Sequence, residues 1–254
     1  MTRVDIIVPV YNEEDILEKS INTLREFMMG NLRRAWRIII ADNASKDRTL
    51  AIARSISERY QNVSFIHLDD KGRGRALRRA WLESDADILT YMDVDLATDL
   101  HAFLELVRAI EEDGYDIVIG SRLTTGAKIK RSVKREFFSR GYNLLIKEMF
   151  RAKFRDAQCG FKALSRDAAR VLLPLTRDNG WFFDTELLLL AEELGYRIKE
   201  VPVVWTESPK TTVNITRTVA RNLKGLLRLR FLPPAEVRVK RKQRRGIKSS
   251  RNIA

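Results

Sequence analysis

Two carboxylates stand two residues apart directly after an apolar run. In the stretch ILTYMDVDLAT, residues 88–98, Asp93 and Asp95 follow Ile88, Leu89, Tyr91 and Met92. Alternation along an extended segment turns both side chains to one side. Close carboxylates suit a hard divalent cation such as Mg²⁺ or Mn²⁺, which takes oxygen ligands and commonly shares them with substrate phosphates. D-x-D is a common pair in loops, and its weight here comes from similar positions along the chain. A first apolar run ends in Pro9, Tyr11, Asn12 and Glu13, a second in Asp42, a third in Asp69, Asp70 and Lys71, and a fifth in Ser121 and Arg122. Asp47 reads as a helix N-cap. Asp42 does not, because Ser45 and Asp47 already offer caps. His67 lies inside a strand pattern and is expected in the core.

Positioning these residues takes strands that end together. The first 120 residues alternate in period. Residues 4–10 are apolar, and EEDILEKSINTLREFM then sets Ile16, Leu17, Ile21, Leu24 and Phe27 at helical spacing. WRIIIA, VSFIHL, DILTYM and YDIVIG are strand-like, separated by helical DRTLAIARSISERY, GRALRRAWLES and DLHAFLELVRAIEE. This alternation predicts right-handed βαβ units and an α/β fold with a mostly parallel central sheet flanked by helices. Ligands of such a sheet bind beyond the carboxyl ends of its strands, where the polar residues above fall.

After Gly120 the rhythm changes. SRLTTGAKIKRSVKR reads as a polar loop. EFFSRGYNLLIKEMF reads as an amphipathic helix with Phe138, Tyr142, Leu145 and Met149 on one stripe. GFKALS reads as a strand, RDAARVLLPL and DTELLLLAEELG as helices, and YRIKEVPVVWT as a single strand. With no internal repeat and no Gly/Ser-rich linker, the expected organisation is one domain over residues 1–231, in halves 1–120 and 121–231. Pro233 and Pro234 end the last helix, and residues 232–254 are expected to form a disordered basic tail.

The chain has 254 residues and a formal charge of +13. Eight basic residues lie in RVKRKQRRGIKSSRNIA, and without them the charge is +5. A single cysteine, Cys159, excludes an intramolecular disulfide; with no secretory signal in MTRVDIIVPVYNEE, a reducing, intracellular setting is expected. No apolar run approaches the ~20 residues of a membrane-spanning helix. The dinucleotide fold of the NAD type is excluded, because VPVYNEED lacks its glycine-rich turn. GRGRAL follows the third strand and lacks the last small residue, and no P-loop is present.

The blocks VPVYNEE, ADNASKDRT, KGRGRAL, MDVDLAT and IVIGSR resemble, in order and spacing, the inverting glycosyltransferases of family 2, which have the GT-A fold. RDAQCGFKALSRDAA, WFFDTELLLLAEELGYRIKEVPVVW and ESPKTTVN resemble the dolichyl-phosphate glucosyltransferase branch, related to dolichyl-phosphate mannose synthase. The resemblance spans roughly residues 4–215. It implies a nucleotide-binding half at 1–120 and an acceptor half at 121–231. Pro9, Tyr11, Asn12 and Glu13 would hold the nucleoside, Asp42 would accept the imide N–H of uracil or guanine, and Asp69 and Lys71 would close the pocket. Asp93 and Asp95 would carry Mg²⁺ or Mn²⁺ on the diphosphate. Mannose synthases place a glutamine two residues beyond the second Asp; here Ala97 stands there, which weighs toward glucose. Arg122, Arg135, Ser139 and Lys210 would meet the acceptor or its phosphate. Asp184 stands where other members keep a catalytic base and is assigned to acceptor or sugar positioning.

The implied reaction moves a sugar, glucose from UDP-glucose first, to a polyprenyl (dolichyl) phosphate. That acceptor is already largely anionic at neutral pH, since its second pKa is ~6, so in-line attack with inversion needs no strong base. Residues 213–231 set Arg217, Arg221, Lys224 and Arg228 along one helical face, broadly opposite Val219, Leu223, Leu226 and Leu227. With the tail, residues 213–254 are expected to touch an anionic membrane peripherally, at the cytoplasmic face of the cell membrane. Residues 137–150 are a second candidate for that contact. One rival is a family 2 enzyme acting on a sugar or lipid-linked glycan, with Asp184 as base, or using a mannose or GlcNAc donor. A nucleic-acid-binding protein is disfavoured, because the tail has no aromatic residue for stacking.

Overall fold

The computed structural model describes residues 2–130, 132–207 and 215–251. The first half follows the expected alternation: β1 (Arg3–Val10), α1 (Leu17–Asn31), β2 (Ala35–Asn43), α2 (Thr49–Arg59), β3 (Val63–Leu68), α3 (Arg73–Glu83), β4 (Ile88–Met92), α4 (His101–Glu111) and β5 (Ile117–Ser121). The second half holds β6 (Lys128–Lys130), α5 (Val133–Phe150), β7 (Phe161–Ser165), α6 (Arg166–Leu175), α7 (Phe183–Leu194), β8 (Ile198–Pro202), β9 (Val204–Thr206), α8 (Ile215–Phe231) and α9 (Ala235–Arg251). Spacing explains the helices. Leu17, Ile21, Leu24 and Met28 form the buried face of α1. The Ser165 side chain caps α6 by accepting from Ala168 N–H.

The seven-stranded sheet has the order β3-β2-β1-β4-β7-β5-β8. Only β7 runs antiparallel to its neighbours, so the mostly parallel expectation holds. Two apolar clusters fill the two faces of the sheet. One is built on Ile7, Leu77, Tyr91 and Leu187, the other on Ile6, Ile21, Leu106 and Val118.

Three expectations need correction. YRIKEVPVVWT is two strands. Pro202, with no N–H to donate, ends β8, and β9 pairs instead with β6, inside the stretch expected to be all loop. The expected basic tail is helical from Ala235. Val237 is fully buried, Lys240 Nζ donates to Leu194 O at 2.7 Å at the end of α7, and Arg241 binds Glu193 at 2.8 Å. Cationic side chains on the last carbonyls of a helix are favourably placed. Finally, the expected basic face of α8 is interrupted at Arg228, and the Arg217 side chain lies outside the described residues. Asn222, Gly225, Leu226 and Leu229 turn inward, and Arg228 reaches Glu186 at 2.9 Å. At Gly225 the backbone lies so close to Phe182 that a Cβ would stand 2.3 Å from its ring.

Candidate active site

Strand order reverses between β1 and β4, and the segments leaving their carboxyl ends form a cleft. All five residues of β4 are buried, and Asp93 emerges at its end. Asp93 N–H donates to Gly160 O at 3.1 Å, and Ala97 N–H to Asp95 Oδ1 at 3.1 Å. The loop is tied down from β9, with Thr206 N–H on Ala97 O and Asp99 N–H on Val204 O, each at 3.0 Å. Asp93, Asp95, Ala97, Phe161 and Trp205 line a small crevice there. Gly160 is required: a Cβ at that position would lie 1.8 Å from an Asp93 carboxylate oxygen.

Behind Asp93 lies a buried charge network. Arg73, in the first turn of α3, donates to Asp93 Oδ1 at 2.7 Å and to Asp184 Oδ2 at 2.6 Å. The other Asp184 oxygen accepts from the Tyr91 hydroxyl and lies 3.0 Å from Lys162 Nζ. Lys162 is fully buried and stands opposite Tyr91 in the β4–β7 register. Burial alone would raise the Asp184 carboxyl. Lys162 and Arg73 outweigh it and hold that carboxyl below the usual range.

On the β1–β2 side, Asp42 is fully buried. Its Oδ2 is 2.6 Å from His67 Nδ1, and its Oδ1 has no partner among the described residues. An unmet buried acceptor is costly unless a ligand supplies the donor. The imidazole of His67 is 34% exposed, not in the core as expected. Lys71 Nζ sits 3.2 Å from the Tyr11 ring centroid. Asn12 takes a left-handed φ of 55° and accepts from Lys46 N–H, while Glu13 N–H donates to Thr49 Oγ1. Asp47, expected as the N-cap of α2, stands one residue before the cap position Arg48, and its Oδ1 accepts from Thr49 N–H at 2.9 Å.

Residues 5–173 match the family model described as glycosyl transferase family 2. The chain belongs to that family. It is 37% identical over 221 residues to glycosyltransferase AglD of Haloferax volcanii, covering 85% of this chain and 35% of that protein. It is 31% identical over 239 residues to dolichyl-phosphate beta-glucosyltransferase of Dictyostelium discoideum, covering 89% of this chain and 73% of that one. The chain thus spans about a third of the first relative and about three quarters of the second. Among solved structures it is similar to glucosyl-3-phosphoglycerate synthase from Mycobacterium tuberculosis in complex with UDP. The TM-score is 0.67 at 18% identity, over 92% of this chain and 82% of that one. The same synthase in complex with Mn²⁺, UDP and phosphoglyceric acid also gives 0.67. The fold is therefore GT-A, as the motif order implied.

Structures of the similar synthase are complexes with Mn²⁺ or Mg²⁺, and the carboxylates of Asp93 and Asp95 are of the oxygen-donor type that fits such a cation. Asp95 is exposed at the cleft, yet partial desolvation and then the charge of Asp93 raise its carboxyl above the usual range. Desolvation and then Asp95 raise Glu13 likewise. Among the described residues no cation pairs with either, so negative charge is left over where a metal would offset it. The described residues hold no cluster of three metal-ligating side chains.

The structure brings Asp93, Asp95, Asp184, Glu13, Tyr11, Asn12, Asp42 and Lys71 to the strand ends, with Pro9 one residue inside β1. Asp69 is fully exposed, 3.7 Å from His67. Arg122, expected to meet the acceptor or its phosphate, is paired with Asp156. Its Nε and Nη2 lie 2.8 and 2.9 Å from the two carboxylate oxygens, and its own N–H adds a third bond. Ser139 lies in α5, where its carbonyl accepts from Asn143. Arg135 is also on α5, but its side chain, like all of Lys210, lies outside the described residues. Arg73, Lys162, Tyr91 and Asp156 were not singled out from sequence. Lys162 carried a signal, as a charge within the apolar run GFKALS, where burial demands a counter-ion.

Proposed function

We propose that the chain transfers a sugar, glucose from UDP-glucose first, to a polyprenyl (dolichyl) phosphate, giving a β-linked lipid-phosphate sugar. One observation carries the choice of acceptor: both oxygens of Asp184 are engaged, and its carboxyl is held low. Such a group is a weak base. A hydroxyl acceptor needs a base, whereas a phosphate monoester attacks as the anion it already is. The free Asp42 Oδ1 supports a nucleobase imide as ligand. The names of the Dictyostelium and other curated relatives support glucose over mannose or GlcNAc. Mg²⁺ or Mn²⁺ on Asp93 and Asp95, when bound, supplies positive charge to the departing diphosphate. Lys71 and the Tyr11 ring would close over the nucleoside. Arg73, Lys162 and Tyr91 would keep Asp184 oriented toward sugar or acceptor.

The test offers UDP-glucose, GDP-mannose and UDP-GlcNAc separately with Mn²⁺ and a polyprenyl phosphate. Labelled lipid is expected from UDP-glucose. No labelled lipid from any of the three donors would sink the reading.

The proposed location is peripheral, on the cytoplasmic face of the cell membrane. No helix among the described residues is long and apolar enough to cross a membrane. The outer face of α8 supports a surface contact. Val219, Leu223, Leu227 and Phe231 recur every four residues and stay exposed, 53% at Leu227 and 74% at Phe231. Exposed Arg221, Lys224 and Arg230 flank them. An apolar stripe between cations suits an anionic bilayer. The double variant Leu223→Glu/Leu227→Glu is expected to lower cosedimentation with anionic liposomes by at least about tenfold, with folding intact because neither side chain is buried. Unchanged cosedimentation would argue for a different surface.

A further inference from the structure

The network around Arg73 has a consequence for how the cation site fills. The Arg73 side chain is 10% exposed and lies between the rings of Tyr91 and Trp181, with centroids 4.9 and 5.0 Å from its Cζ. Its segment is pinned on both sides: Gly72 N–H donates to Asn43 Oδ1, and Arg75 N–H, two residues on, to Asn179 O. The guanidinium is therefore a fixed positive charge. It occupies Asp93 Oδ1, an oxygen of the very carboxylate that would hold the metal.

We propose that Arg73 is an electrostatic gate on this site, keeping a bare divalent cation off Asp93 until a nucleoside diphosphate arrives with it. The proposal rests on the reading that cation and nucleotide share this cleft. A free divalent cation meets the repulsion of the guanidinium and competes with it for Asp93. A diphosphate ester brings two negative charges, which cancel those of the metal, so the pair is not repelled. The gate orders binding and couples metal uptake to the donor. A purely structural role predicts the opposite sign: without its staple, Asp93 would loosen and the metal would bind less well.

The experiment measures Mn²⁺ binding to the full chain by electron paramagnetic resonance, with and without UDP. Arg73→Gln, which can still hydrogen-bond but has lost the charge, is expected to bind Mn²⁺ alone about tenfold more tightly than the wild type. Its gain is expected to shrink when UDP is present. Arg73→Lys, which keeps the charge though not the two-carboxylate fork, is expected to bind Mn²⁺ alone less tightly than Arg73→Gln does. Should Arg73→Gln fail to fold, Arg73→Met carries the same expectation. Equal or weaker Mn²⁺ binding by the neutral variant overturns the gate. A wild-type chain that takes up no Mn²⁺ even with UDP overturns the shared-cleft reading, and the gate falls with it.

Discussion

Replacing Asp95 with Asn is expected to lower sugar transfer by about a hundred- to a thousandfold, while leaving the fold at least as stable as before. The activity loss follows from charge. Asp95 is one of two carboxylates at the candidate cation site, with no third metal-ligating side chain among the described residues to take its place. Losing a charged ligand of a Lewis acid that stabilises a leaving group costs several kcal/mol of transition-state stabilisation. The stability half follows from the raised carboxyl. Partial desolvation and the neighbouring Asp93 work against ionisation of Asp95 in the folded chain, and removing that charge relieves the strain. Turnover at saturating Mn²⁺ and a thermal melt check both halves. Full transfer by the variant would exclude the assigned role, and a lowered Tm would mean that Asp95 supports the fold.

The second large effect is on stability. Arg122→Met is expected to destabilise the protein by about 3–5 kcal/mol, because it strands Asp156, which is fully buried, without its counter-charge. For a domain of this size that lowers Tm by roughly 10 °C. The double variant Arg122→Met/Asp156→Leu is expected to recover most of the loss, since replacing a whole buried pair costs far less than breaking it. The acid limb tests the same pair. Burial pushes the Asp156 carboxyl up, but Arg122 outweighs it and brings the pKa from 3.8 down to about 2. A depressed folded-state pKa stabilises above the unfolded value, so about 2 kcal/mol is present at neutral pH and is lost as pH falls from about 5 toward 2. In Arg122→Met that acid-dependent loss should disappear. Calorimetry across this range measures it, and an unchanged Tm would mean that the Arg122–Asp156 pair adds nothing to stability.

Much of the site was legible because strand ends are legible. Apolar runs of strand length, each closed by a polar residue, located Glu13, Asp42, Lys71, Asp93 and Asp95, and the βαβ rhythm said that those ends would share one edge. The reading went astray where a charge had two possible partners. Arg122 looked available because Asp156, 34 residues later, gave no local sign of pairing with it. His67 looked buried because its neighbours in VSFIHL are apolar, yet it sits near the open end of β3 and faces Asp42. Residues 235–251 looked disordered from composition alone. Against α7, though, the buried Val237 and the cations on Leu194 and Glu193 give that helix a docking surface.

Sequence by itself therefore determined the α/β class, the family and the carboxylate pair, since periodicity and short motifs act over a few residues at a time. The tertiary structure decided which charges answer which. Arg73 and Asp184 are 111 residues apart. They meet because the start of α3 packs on the start of α7, where Gly74 lies against Phe183, over β4 and β7 with Lys162 opposite Tyr91. No local pattern encodes that packing, and in a buried site a charge is defined by its partners more than by its own type. That pairing turned Asp184 from a candidate base into a held carboxylate, and Arg73 from one arginine among many into the cation beside Asp93.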